Sequence, residues 1–108
     1  MSDFAYLDEL FAEIEKRRGA DPSESYTAQL LADMPRVARK LGEEAAETMV
    51  AALTGSDQDL INEAADVTYH LLALLAARGL DPAQVVEVLR ARSAMSGLEE
   101  KAARSDKS

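Results

Sequence analysis

Apolar residues recur at three- and four-residue steps along most of the chain, which is the period of an amphipathic helix. The first such segment covers residues 3–18, and we expect Asp3 to cap its start and Gly19 to lie at its end. No stretch alternates between apolar and polar positions as a half-buried strand would, and no internal repeat is visible. The pattern therefore predicts an all-α fold.

Proline and glycine mark the limits of the following helices. A short helix is expected over residues 26–33, and Pro35 is well placed to open a long helix that runs to about Leu53 before Gly55. The next long helix is predicted over residues 58–78, with Ser56 or Asp57 as its cap and Gly79 at its end.

A last helix is predicted over residues 82–93. Asp81 fits the N-cap, Pro82 the first helical position, and Gln84 completes a capping-box pattern. We expect this helix to bury its apolar residues, which are Val85, Val86, Val88 and Leu89.

The two long helices are joined by a short connection, so we expect them to pack antiparallel. The predicted architecture is a bundle of about four to five helices with a central antiparallel helix hairpin, in one domain that covers residues 1–108 and has a flexible C-terminal end from about residue 105. Residues 64–77 are apolar nearly all round, which predicts burial on every side. A second copy of the chain would supply that burial, so a homodimer is expected.

Composition narrows the possible functions. The chain has 108 residues, 47% of them hydrophobic, which indicates one globular domain. It has no cysteine, so disulfides, thiolate metal sites and cysteine nucleophiles are excluded. The formal net charge of −8, without a basic stripe, argues against nucleic acid as a partner. No secretory signal or membrane span is visible, and a cytoplasmic location is expected.

Four carboxylates stand out on the predicted hairpin. Glu44 and Glu47 lie three residues apart, as do Glu63 and Asp66, so each pair projects from one side of its helix. With a rise of about 1.5 Å per residue, Glu47 stands about 9 Å before the turn and Glu63 about 6 Å after it. Folding the hairpin can therefore bring both pairs level.

These carboxylates have few nearby cations. Glu47, Glu63 and Asp66 have no lysine or arginine three or four residues away, and like charges at that spacing repel. One interpretation is a solvent-facing acidic surface. The other is a site for a hard cation, Mg²⁺ or Mn²⁺, because all the candidate ligand atoms are oxygens.

The spacing Glu-Glu-x-x-Glu, fifteen residues, Glu-x-x-Asp resembles the signature of the MazG-like all-α nucleoside-triphosphate pyrophosphatases. Four segments are similar to the phosphoribosyl-ATP pyrophosphohydrolase family of histidine biosynthesis, and the similarity as a whole covers residues from about 4 to 104. They are "YTAQLL" (26–31), "ARKLGEEAAET" (38–48), "EAADVTYHLLALLAARGL" (63–80) and "SGLEEKAAR" (96–104).

The resemblance implies a small-molecule reaction, the Mg²⁺-dependent hydrolysis of the α–β phosphoanhydride of phosphoribosyl-ATP to phosphoribosyl-AMP and pyrophosphate. It is the second step of L-histidine biosynthesis, and the resemblance also implies a dimer. The implied metal ligands are Glu44, Glu47, Glu63 and Asp66. Glu43 is implied to be a further ligand, a residue that supports a ligand, or the base that positions water. Glu43 and Glu47 are the candidates for catalysis.

Other residues extend this hypothesis. His70 continues the stripe of Glu63 and Asp66. It is a half-buried histidine hydrogen-bonded within the bundle, hydrogen-bonds a ligand carboxylate, or takes part directly in catalysis. Lys40 either pairs with nearby acids or binds substrate phosphate. The resemblance favours substrate binding by four residues near the C-terminus, which are Ser96, Gly97, Lys101 and Arg104.

Three alternatives stay open at the level of sequence. Tyr26 and Tyr69 could stack on adenine, although aromatic residues at helical spacing usually belong to a core. The protein could be a house-cleaning pyrophosphohydrolase for free or damaged nucleotides that shares the metal site. It could also be a non-catalytic helical interaction module whose acids form a solvated or partner-binding face.

Overall fold

The structure, a computed structural model, describes residues 3–94 and positions 101 and 104. Over residues 3–94 it contains a 3-10 turn at Asp3–Ala5 and five α-helices, and no strand. This confirms the predicted all-α bundle. The helices are α1 (Tyr6–Lys16), α2 (Tyr26–Leu31), α3 (Met34–Thr54), α4 (Asp57–Ala77) and α5 (Pro82–Ser93).

The start of the first helix differs from the prediction. Asp3 belongs to the 3-10 turn, and the N-cap position of α1 is Ala5, which makes no side-chain cap hydrogen bond. The rest of the 3-10 turn lies between Asp3 and the start of α1, so the aspartate is too far upstream to cap the helix. The next two helices do have side-chain caps. Ser25 accepts a hydrogen bond from the backbone N–H of Ala28 at the start of α2, and Asp33 accepts one from the backbone N–H of Arg36 at 3.2 Å at the start of α3.

Two residues, Gly55 and Ser56, join α3 to α4. Ser56 Oγ accepts from the backbone N–H of Asp59 at 3.1 Å, and Asp59 Oδ2 accepts from the backbone N–H of Ser56 at 3.0 Å, which completes a capping box. A Cβ atom at position 55 would lie 3.0 Å from the carbonyl oxygen of Ala51, so only glycine fits there without a shift. The turn is therefore short, and α3 and α4 pack together along their length.

The other end of α4 closes with a left-handed glycine. Gly79 has a φ of +76° and donates to the carbonyl of Ala76, while Leu80 donates to the carbonyl of Leu75 at 2.8 Å. These two bonds form a Schellman motif, which ends the helix as the sequence predicts.

The core lies between α4 and the helices around it. Leu30 and Val37 are fully buried and pack with Ala73 of α4. Ile14 of α1 packs with Leu72 and Ala76, which also belong to α4. The C-terminal half of α4 is therefore the centre of the bundle, while its N-terminal half faces α3.

The predicted burial of α5 is wrong for the single chain. Its capping box at Asp81 and Gln84 is present as predicted. However, no residue of the helix is buried, and its large apolar side chains are 40–56% exposed. The apolar period correctly marks a helix, but α5 contributes none of the principal helix contacts of the described chain.

The α4 segment that was predicted to be buried on every side is buried on one side. His70, Leu72, Ala73 and Ala76 are buried, whereas Leu71 is 41% exposed and Ala64 and Ala65 are exposed. Of the described helices, none has both the length and the apolar character needed to cross a membrane.

Candidate active site

Three carboxylates meet where α3 faces the first half of α4. Glu44 comes from α3, and Glu63 and Asp66 from α4. One oxygen from each of them lies within 4.8 Å of the other two, a spacing that allows all three to bind one cation. Helical spacing within α4 and the short turn at Ser56 together produce this meeting, as the sequence predicts.

Two of these carboxylates are withdrawn from solvent. Glu44 is only 8% exposed and Glu63 is half-buried. In the described part of the chain, Glu44 Oε2 and Glu63 Oε2 are buried without a hydrogen-bond partner. A buried charged oxygen without a partner is costly, so a purely solvent-facing acidic surface does not describe these two residues.

The crowding of carboxylates changes the pKa of Glu63. Burial raises the pKa of the Glu63 carboxyl above its ordinary value, and the neighbouring Glu47 carboxyl, followed by those of Glu44 and Asp66, raises it further. A bound divalent cation would reverse that balance by favouring the ionised form.

Glu47 and Asp66 form the exposed side of the cluster. Glu47 acts on Glu63 electrostatically, so the two helices do bring the predicted pairs together. It also lines a groove of about 560 Å³ that leads from Glu63 toward the turn. The remaining lining residues are Ala46, Val50, Ala51, Thr54, Gly55 and Asp59.

Glu43 stands outside this group. Its side chain is 52% exposed and lies 3.5 Å from Lys40 Nζ. The same ammonium lies 3.9 Å from Glu44 Oε1, so Lys40 is at the edge of the cluster and half-exposed. The structure therefore gives Lys40 its predicted ion pairs and places its ammonium beside the carboxylate cluster.

His70 is buried one turn after Asp66 and hydrogen-bonds its backbone carbonyl, rather than a ligand carboxylate. Nδ1 lies 2.8 Å from the Asp66 carbonyl oxygen, which can only accept, so Nδ1 donates. Nε2 lies 3.2 Å from the Tyr26 hydroxyl oxygen, within hydrogen-bond distance. These contacts are those of a histidine bonded within the bundle, and its role at the site stays a prediction.

The two tyrosines have different surroundings. Tyr69 is half-buried in the core, and its hydroxyl hydrogen-bonds Thr27, so it is a core residue and not a stacking platform. Tyr26 is 43% exposed, with one edge toward His70 and its face toward Arg36, whose guanidinium carbon lies 5.7 Å from the ring centre. Sequence reasoning did not assign Arg36 to the site, because its neighbours come from another helix.

The predicted C-terminal residues are only partly described. Lys101 and Arg104 are helical and exposed. Ser96 and Gly97 lie outside the described residues. Substrate binding by these four residues stays a prediction.

An all-α chain that gathers carboxylates on the facing sides of a short-turned helix hairpin has the features of the all-α pyrophosphatase class. The family model described as phosphoribosyl-ATP pyrophosphohydrolase matches residues 7–93. A protein named phosphoribosyl-ATP pyrophosphatase from Erythrobacter litoralis is 54% identical over 101 residues, which cover 93% of this chain and 97% of that protein.

Two further relatives carry the same name. The protein of Parvibaculum lavamentivorans is 50% identical over 107 residues, with 98% of each chain covered. That of Cereibacter sphaeroides is 52% identical over 99 residues, covering 91% of this chain and 96% of the relative. The chain belongs to the phosphoribosyl-ATP pyrophosphohydrolase family. This confirms the predicted family and, with it, the prediction of an enzyme that hydrolyses a phosphoric anhydride.

Because the pKa of Glu63 is raised, we expect this carboxyl to make the stability of the fold depend on pH. The folded state holds the proton of this carboxyl more tightly than the unfolded state, so the site loses stability as pH rises through the raised pKa. Without metal at neutral pH, Glu63→Gln should therefore melt a few degrees higher than the wild type. That difference should shrink as pH falls and vanish below about 4.3, the ordinary glutamate pKa.

Melting curves with a chelator across this pH range check the prediction. Glu24→Gln, in the exposed loop between α1 and α2, is the matched control and should show no such pH-dependent gain. A Glu63→Gln protein that melts below the wild type, or a difference that is constant with pH, would contradict the electrostatic account.

Proposed function

We propose that the chain hydrolyses phosphoribosyl-ATP between its α and β phosphates and releases phosphoribosyl-AMP and pyrophosphate, with Mg²⁺, or Mn²⁺, as its cofactor. The observation that carries the proposal is the meeting of three carboxylate oxygens within 4.8 Å, in a chain of this family. The substrate is taken from the names of its relatives. A cytoplasmic location stays a prediction from the sequence.

The residues fit a hard divalent cation. Glu44 and Glu63 each have a buried oxygen without a hydrogen-bond partner in the described part of the chain. Asp66 adds a third oxygen from the exposed side. Oxygen-only ligands suit Mg²⁺ and Mn²⁺. When bound, such a cation neutralises the phosphates and makes a coordinated water more acidic. We assign Glu44, Glu63 and Asp66 as ligands, with Glu47 as a fourth ligand or the base.

The side chains around the cluster suit the remaining requirements of the reaction. A water oxygen forms a bond to phosphorus, the bridging P–O bond breaks, and pyrophosphate leaves with the electron pair. Glu47 is exposed beside the groove, so its carboxylate can accept the water proton. Lys40 can keep its contact with Glu43 and donate another of its N–H groups to a phosphate oxygen. Glu43 then has a supporting role, because it positions the Lys40 ammonium.

We also propose a homodimer. Large apolar side chains are exposed on the hairpin as well as on α5, with Met49, Val50, Leu53 and Ile61 between 57% and 79% exposed. Large apolar side chains exposed in such number are typical of an interaction surface. A second copy is the occupant we propose, because it would also cover the exposed side of α4.

The proposed activity is tested by measuring pyrophosphate release from phosphoribosyl-ATP, ATP and deoxynucleoside triphosphates, with and without Mg²⁺. We expect Mg²⁺-dependent release with a clear preference for phosphoribosyl-ATP. Asp66→Asn removes a ligand charge at constant shape and should lower kcat/KM by more than about 100-fold, beyond the 10–100-fold typical of residues that only orient ligands. Asp57→Asn, an exposed residue in the first turn of α4, is the control.

Each alternative has its own outcome in this assay. Equal or faster hydrolysis of free nucleotides would favour a house-cleaning enzyme. No Mg²⁺-stimulated release from any substrate would favour an interaction module. Asp66→Asn activity within a few-fold of the wild type would remove Asp66 from the ligand set.

The dimer is tested by light scattering at micromolar concentration. We expect about twice the chain mass of 11.7 kDa. The mass should be the same at low and high salt, because burial of apolar surface is not screened as ion pairs are. A monomer that is fully active would contradict the proposal.

A further inference from the structure

Arg36 lies in the first turn of α3 and is half-buried. In the described part of the chain no carboxylate lies within ion-pair distance of its guanidinium, although Asp33 is only three residues away. In the same part of the chain the guanidinium makes one hydrogen bond, from Nη1 to Gln29 Oε1 at 3.2 Å. Most of its five N–H donors are therefore available to another acceptor.

The guanidinium is held in place from two sides. Gln29, which accepts its hydrogen bond, is itself anchored because its Nε2 donates to the carbonyl of Pro22 at 2.8 Å. On the other side the Tyr26 ring faces the guanidinium, with 5.7 Å between the guanidinium carbon and the ring centre. A half-buried arginine that is oriented but not neutralised is prepared to bind an anion.

This arginine is also connected to the carboxylate cluster. The Tyr26 hydroxyl bonds His70 Nε2, and His70 Nδ1 bonds the backbone carbonyl of Asp66. One series of contacts therefore runs from Arg36 to a residue of the proposed metal site. These contacts fix the position of the Arg36 guanidinium relative to the carboxylates.

The placement along α3 determines which anion can be reached. Arg36, Lys40 and Glu44 follow at four-residue steps, so they share one side of the helix. Lys40 is next to the cluster, whereas Arg36 is about 12 Å from Glu44 along the helix axis. Lys40 is close enough to meet phosphates at the cleaved bond, and Arg36 is suited to a group at the far end of the substrate.

We infer that Arg36, supported by Tyr26 and Gln29, binds the terminal phosphate monoester of the phosphoribosyl group and so selects phosphoribosylated nucleotides over simple ones. The inference rests on the proposed function. In phosphoribosyl-ATP that phosphate lies across the purine from the triphosphate. A planar guanidinium can donate two parallel hydrogen bonds to it. In a chain with a net charge of −8, a local cation is needed to hold a second phosphorylated end.

The test is the ratio of kcat/KM for phosphoribosyl-ATP to that for ATP in the full-length Mg²⁺-loaded protein. In Arg36→Ala this ratio should fall by about 10- to 100-fold, mainly through a higher KM for phosphoribosyl-ATP. Arg36→Lys keeps the positive charge but cannot donate two parallel hydrogen bonds, so it should restore part of the ratio. Arg39→Ala removes an exposed arginine from the same helix and is the matched control.

The outcomes separate this inference from the proposed function. A wild-type protein without a preference for phosphoribosyl-ATP would contradict both. A preference that survives Arg36→Ala would overturn the inference alone. So would an equal loss for ATP and phosphoribosyl-ATP, which would assign Arg36 to the triphosphate or to folding, or an equal loss in Arg39→Ala. If Arg36→Ala does not fold, the comparison of Arg36→Lys with the wild type decides by the same ratio.

Discussion

The close packing of α3 against α4 is the constraint on which the candidate site depends. It brings carboxylates of two helices together and withdraws Glu44 and Glu63 from water, although like charges repel. The two-residue turn at Gly55 and Ser56 sets the register, and the core around α4 supplies the stabilising apolar contacts. The fold thus holds a charge arrangement that is unfavourable without a cation and suited to one.

Polar contacts extend this arrangement from the hairpin toward α2. His70 is buried with both ring nitrogens bonded, one to the backbone of Asp66 and one to Tyr26. The histidine therefore links the position of α2 to the part of α4 that carries the carboxylates. Through Tyr26 the same contacts reach Arg36. The acidic centre and the proposed phosphate site are parts of one packed unit. With a cation bound at the acidic centre, the two sites suit the two phosphorylated ends of the proposed substrate.

Local sequence signals predicted much of this structure. Helical spacing identified the carboxylate pairs, and the caps at Ser56 and Asp81 located two helix starts. The signals fail where distant parts of the chain decide the result. The apolar residues of α5 mark a helix but not what covers it, and the partners of Arg36 are on another helix. Asp3 failed as a cap because a 3-10 turn intervened.

The central claim is that the hairpin carboxylates hold a divalent cation together. Anomalous diffraction from crystals grown with Mn²⁺ tests it most directly, because Mn²⁺ accepts the same oxygen ligands and its position can be located independently of activity. The account predicts a peak bounded by Glu44, Glu63 and Asp66, and its loss in Asp66→Asn crystals. A peak elsewhere on the chain, or none between the two helices, would contradict it.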